Sequence, residues 1–136
     1  MVSRKILWQK TMLYDKKITQ LKTREGAFIA NLNVEIADTQ EKREMGLKFR
    51  NSFGEVDGMF FVFSVEDSHG FWMKDTSIPL DLIFFNSDKK VVDIFKNMSV
   101  FSEETRYPKL PCLFVLEVEA GFCEKYGVVE GCTFDY

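Results

Sequence analysis

Histidine is almost missing from this sequence: His69 stands alone among 136 residues. Within one chain, that excludes any metal site built on two or more His ligands. Cysteine is sparse too, with Cys112, Cys123 and Cys132 only. An odd count without C-x-x-C spacing fits neither a disulfide framework nor a zinc knuckle. The pattern reads as three reduced, largely buried thiols in a reducing compartment. Long apolar runs are lacking as well. Such runs as 58–63 and 82–85 fall far short of the roughly 20 residues that span a bilayer. After Arg4 and Lys5, only Ile6-Leu7-Trp8 stands where a signal peptide needs about 7–15 apolar residues. The expectation is a cytoplasmic protein as the sequence stands, and a periplasmic or extracellular one if the chain is a mature fragment. Nor is there a basic excess. With 18 basic against 21 acidic residues and a net charge of -3, the chain offers no nucleic-acid platform. Neither G-x-x-x-x-G-K-[ST] nor G-x-G-x-x-G occurs, which argues against nucleotide chemistry. No cofactor and no metal is expected. The expected partner is a small polar ligand or a protein, without nucleic acid and without membrane insertion.

What the sequence has in abundance is phenylalanine, 14 residues, within a composition 46% hydrophobic and 29% charged. That predicts a dense aromatic core in one domain spanning 1–136. The apolar period is mostly two. Phe28, Ala30, Leu32, Val34 and Ile36 fall on one side of a strand, with Asn31, Asn33 and Glu35 on the other. Shorter apolar runs at 59–63, 71–73, 82–85, 91–95 and 114–118 read as further strands. Asn86-Ser87-Asp88-Lys89 reads as a hairpin turn. Fainter strand signals lie at 6–9 and 18–22, with 14–17 as a turn between them. Two short helices are expected. The first is capped by Asp38 or Thr39, with Glu41 completing a capping box, and stops at Gly46; the second occupies 120–126 before Gly127. The fold class is therefore mainly β: a compact jelly-roll-like sandwich or partly closed barrel with one or two short helices.

Four blocks of residues are similar to those of a known family. Ala37-Asp38-Thr39-Gln40-Glu41-Lys42-Arg43 through Gly46-Leu47-Lys48-Phe49-Arg50 resembles an A-D-T-x-E-x-R-x-x-G-L-M-x-R opening. Gly58-Met59-Phe60-Phe61-Val62-Phe63 resembles G-M-L-F-x-F. Phe71-Trp72-Met73-Lys74-Asp75-Thr76-Ser77-Ile78-Pro79-Leu80-Asp81 resembles F-W-M-K-N-T-x-I-P-L-D. Val115-Leu116-Glu117-Val118-Glu119-Ala120-Gly121 matches V-L-E-x-x-A-G. In this order, over about 30–134, the blocks resemble the DUF192 (UPF0127) family. Residues 1–26 then read as an N-terminal extension able to add a hairpin. The chain departs from the pattern at Asp75, where the family usually has Asn, and at Lys48, where it has Met. The resemblance implies a small, mainly β, jelly-roll-like domain and no particular reaction.

The third block carries the chemistry of most interest. Read as a strand, it sets Trp72 and Lys74 on one face and Phe71, Met73 and Asp75 on the other. Trp72 is either a stacking platform with Lys74 or Asp75 at the ligand's polar edge, or a core plug beside a solvated lysine. Asp75 and Asp81 flank Pro79. They either converge on a ligand or satisfy turn amides, and Asp81 suits the structural role. Arg50 either clamps an anion or pins the helix to the sheet through Asp81 or Glu117. Arg43, His69 and Glu117 are secondary candidates. Glu117 and Glu119 share a strand face with Val115 and read as a solvated or salt-bridged pair. His69 lacks a nucleophile context.

The expected site is thus Trp72, Lys74, Asp75, Asp81 and Arg50, in a non-catalytic module binding a small ligand, carbohydrate first. The alternatives are a carboxylate-based hydrolase using Asp75, Asp81 or Glu117, and a protein-interaction module without a small ligand.

Overall fold

In the computed structural model, residues 12–136 are described. Seven strands build one sheet: β1 (Lys16–Lys22), β2 (Phe28–Ala37), β3 (Gly58–Asp67), β4 (Leu80–Phe85), β5 (Val91–Met98), β6 (Cys112–Glu119) and β7 (Thr133–Asp135). Their spatial order is β5-β4-β6-β3-β2-β1-β7. Every neighbouring pair is antiparallel except β2 and β3. A parallel pair needs a crossover, and α1 (Gln40–Met45) lies in it. The sheet curls until its two outer strands approach. Lys90 bridges Thr133, the Val91 amide donates to the Cys132 carbonyl at 2.8 Å, and the Gly131 amide donates to Val91 at 2.9 Å. Of the two architectures expected, this is the barrel-like one. α2 (Phe122–Tyr126) sits between β6 and β7 in the chain. No helix among the described residues is long and apolar enough to cross a membrane.

Curling gives the sheet two apolar layers. The inner layer gathers Leu32, Val34, Phe60, Ile83, Phe85, Leu116 and Val118 around Phe134. The Phe134 ring meets Phe60 and Phe85 edge-on, each at 4.7 Å between centroids, an arrangement worth about 0.5–1.5 kcal/mol per pair beyond burial. The outer layer holds Met59, Phe61, Met73, Leu80, Leu82, Phe84 and Val115. Strand β4 is buried along its whole length, because both layers use it.

Local chemistry sets the helix ends and the tight turn. Thr39 Oγ1 accepts the Lys42 amide at 3.2 Å, and Gly46 ends α1 at φ 49°. In the β4–β5 turn, Asn86 Oδ1 accepts the amides of Asp88 and Lys90, both at 3.0 Å. Gly58 is required for packing: a Cβ there would lie 2.5 Å from the Glu117 carbonyl.

Two expectations change, and a third lies outside the described residues. Residues 14–17 do not form a turn, since β1 begins at Lys16 and pairs with β2 and β7. The strand signal at 6–9 lies outside the described residues. Finally, 71–73 is not a strand of the sheet. Phe71 exchanges hydrogen bonds with Arg106, the Met73 amide donates to Ser102, and Thr76 closes a turn onto Met73. The apolar run is there because the segment roofs the outer layer.

One buried hydroxyl lacks a partner among the described residues. Thr19 is wholly buried in β1 and its hydroxyl is without a hydrogen bond among the described residues. Thr19→Val keeps the shape and removes an unsatisfied polar atom, so urea denaturation should show a gain of about 1 kcal/mol.

Candidate functional site

Between α1 and the 70–76 segment lies a cleft of about 580 Å³. One wall is Arg43, Met45, Gly46 and Lys48; the other is Phe71, Trp72 and Thr76; Phe61, Leu80 and Glu117 reach it from the sheet. Arg43 is held in place: its Nη1 donates to the Val62 carbonyl at 2.9 Å and its guanidinium lies 5.2 Å from the Phe63 ring. Trp72 is 40% exposed, so it is not a core plug. Lys48 and Lys74 stand near its ring, their Nζ atoms 5.6 and 5.2 Å from the centroid.

Glu117 is the unusual member. On β6 it is paired in register with Met59 of β3 and Leu82 of β4, two fully buried side chains. Only 5% exposed, it makes no side-chain hydrogen bond or ion pair among the described residues. Burial pushes its carboxyl up to about 8, so at neutral pH it is largely the neutral acid. The expected solvated or salt-bridged glutamate is therefore corrected. Strand parity did place it with Val115, but that face carries the outer apolar layer. Glu119, two residues on, is exposed.

Of the sequence-predicted residues, Trp72, Arg43 and Glu117 line this cleft and Lys74 stands beside Trp72; the rest do neither. Asp81 faces the inner layer. Its Oδ1 accepts the Asn97 amide at 2.9 Å, and its Oδ2 accepts those of Gly121 and Cys123 at 3.2 and 3.0 Å. With no exposure at all, it ties β4 to β5 and caps α2, because Gly121 brings no side-chain cap of its own. Arg50 is the pin anticipated, with a different partner. It reaches both carboxylate oxygens of Glu35 on β2, at 2.5 and 3.4 Å, instead of Asp81 or Glu117. Asp75 adopts a left-handed conformation at φ 55° and its carbonyl accepts the Phe49 amide. Such a conformation favours Asn or Asp, and Asp75 does not line the cleft. His69 stacks on Phe63 at 3.7 Å and donates from Nε2 to the Val65 carbonyl. The nearest thiol in the sheet register, Cys112, is raised by burial to about 11, which leaves it a poor nucleophile.

The sequence reading missed Lys48, Gly46, Phe61 and Thr76. Gly46 carried a signal as a helix stop; Lys48 carried one as a departure from the family's Met. Among the described residues, no group of three or more His, Cys, Asp or Glu is placed to hold a metal ion. A second groove of about 700 Å³, lined by Asn31, Ser52, Ser77 and Tyr126 among others, lies elsewhere on the surface. No buried unpartnered carboxyl reaches it.

The fold and these motifs have relatives. The family model DUF192, described as an uncharacterized ACR, matches residues 20–136. The chain belongs to the DUF192 family. The match starts within β1, which agrees with that strand's place inside the sheet. This DUF192 protein is similar to the crystal structure of a candidate transcription regulator from Sinorhizobium meliloti 1021. The two share 33% identity at a TM-score of 0.85, over 91% of this chain and 95% of that one. A Novosphingobium aromaticivorans DSM 12444 protein of unknown function is also similar, with 30% identity and a TM-score of 0.82 over 89% of this chain and 85% of that one. No curated protein matches this DUF192 chain.

Proposed function

We propose that this DUF192 protein is a non-catalytic module that binds a small polar ligand, a carbohydrate first, in the cleft beside Trp72. The observation that carries this reading is a half-exposed tryptophan set over a cleft that also holds a buried carboxyl with no partner. Buried polar groups are ordinarily hydrogen-bonded, to protein or to water, and Glu117, which opens only onto the cleft, makes no side-chain bond to protein among the described residues. A ligand hydroxyl or carbonyl would complete it. The cleft, about 580 Å³, is within the usual range for small-molecule sites. An aromatic edge beside hydrogen-bonding groups suits a sugar ring. The hydrolase alternative draws less support, since of Asp75, Asp81 and Glu117 only Glu117 lines the cleft, and Asp81 spends both oxygens on backbone amides. A reducing, cytoplasmic setting is supported by three buried, free cysteines.

A thermal-shift screen of mono- and oligosaccharides tests the reading, with Trp72→Ala as control. A sugar present at about 100 times its Kd should add roughly 2.7 kcal/mol of stability to the wild type. Trp72→Ala should lose that response while its own Tm falls by only a few degrees, as expected for a 40% exposed side chain. No shift with any saccharide, together with a large drop in Tm for Trp72→Ala, would count against the site.

A further inference from the structure

The chain as a whole is acidic, with a net charge of -3, yet its cleft is not. Arg43 and Lys48 line it, and Lys74 stands beside Trp72. Against these cations, the described residues of the walls bring two acids: the exposed Glu44, whose Oε1 accepts from Gln40 Nε2 at 3.1 Å, and Glu117. From β3 and β4, only apolar side chains, among them Phe61 and Leu80, meet the cleft. Below this cationic rim lies the Glu117 carboxyl, more than nine-tenths buried, within the lining, and without a partner among the described residues. A cation-rich mouth raises the local concentration of anions. A neutral carboxyl below it offers one O–H donor, and the acceptor that binds such a donor most strongly is another group's carboxylate, through a short O–H···O⁻ bond.

We infer that the ligand of this cleft is an acidic monosaccharide, a uronate, whose carboxylate accepts a hydrogen bond from Glu117 while its ring lies along Trp72. The inference rests on the carbohydrate reading above and sharpens it to one chemical class. Two properties follow. The carboxylate of the ligand distinguishes it from the neutral sugar that carries a hydroxymethyl group in its place. Binding also needs Glu117 protonated, because two carboxylates cannot share one buried hydrogen bond without a proton between them.

Isothermal titration of the whole chain with galacturonate and with galactose, from pH 6 to 9.5, tests both properties. At pH 6.5 galacturonate should bind at least about tenfold more tightly than galactose, a difference near 1.4 kcal/mol. Its affinity should hold up to the region where Glu117 ionises, at about 8, and then fall about tenfold per further pH unit. Glu117→Gln keeps a donor of the same size and cannot ionise, so its affinity should stay level across that range. Any pH dependence it shares with the wild type belongs to other groups. If galactose binds as tightly as galacturonate, the inference fails and the carbohydrate reading stands. If neither sugar binds, both fall. If galacturonate affinity is unchanged through pH 9.5, or falls equally in Glu117→Gln, Glu117 is not the donor and the inference is overturned.

Discussion

Raising the pH from about 5 to 8 should destabilise this protein, and Glu117→Gln should remove most of that loss. In the folded chain the Glu117 carboxyl is raised by burial from 4.5 to about 8. Below the lower value, folded and unfolded chains both hold the proton. Between the two values the folded chain holds it and the unfolded chain does not, so unfolding releases a proton and rising pH favours unfolding. The slope is about 1.4 kcal/mol per pH unit, on the order of 4–5 kcal/mol across the window, and it levels off once both states are ionised. Against a typical total stability of roughly 5–15 kcal/mol, that is a large share. Glu117→Gln should therefore match the wild type near pH 5. It should exceed it by roughly 10 °C in Tm near pH 8, since about 1 kcal/mol moves Tm by a few degrees in a chain of this size. Differential scanning calorimetry of both proteins at half-unit pH steps measures it. Parallel curves across the window would mean that Glu117 is paired or hydrated in solution.

Asp81→Ala should cost on the order of 3–5 kcal/mol and leave no binding defect beyond what lost folding explains. The substitution takes the acceptor from the buried amide of Cys123 and from the partly buried amides of Asn97 and Gly121, and an orphaned buried donor costs about 1–3 kcal/mol. Asp81→Asn retains one oxygen and turns an amide NH2 toward backbone donors, so it should rescue only part. Urea denaturation should show a lower midpoint with an unchanged slope. A variant that melts like the wild type but no longer binds the ligand would return Asp81 to the site from which its geometry removes it.

These two acids show what the sequence made legible. Parity puts Glu117 with Val115, and its place just before the Leu82 run marks Asp81 as an acceptor of backbone amides; the structure has both. What parity does not carry is what covers each face. The outer face of β6 looks solvated until α1 and the 70–76 segment are laid over it, and those covers are not strands. The same gap explains 71–73. Phe71-Trp72-Met73 has the composition of a strand, but its hydrogen bonds run to Ser102 and Arg106 in a distant loop, which no periodicity reveals. Where the signal is local, the reading fared better. Thr39 and Gly46 bound α1, Asn86 organises the β4–β5 turn, and alternation marks β2. Arg50 falls between these cases. Its role as a pin follows from a guanidinium next to a helix, whereas Glu35 as partner depends on the β2–β3 crossover.

Amide chemical-shift mapping during titration of the whole chain with galacturonate tests the central claim most directly. Shifts should cluster at Gly46, Leu47, Lys48, Trp72 and Thr76, with the Trp72 indole N–H among them, and should leave the groove at Ser52 and Tyr126 unmoved. Shifts centred on that second groove, or none at saturating sugar, would contradict the assignment of the cleft as the binding site.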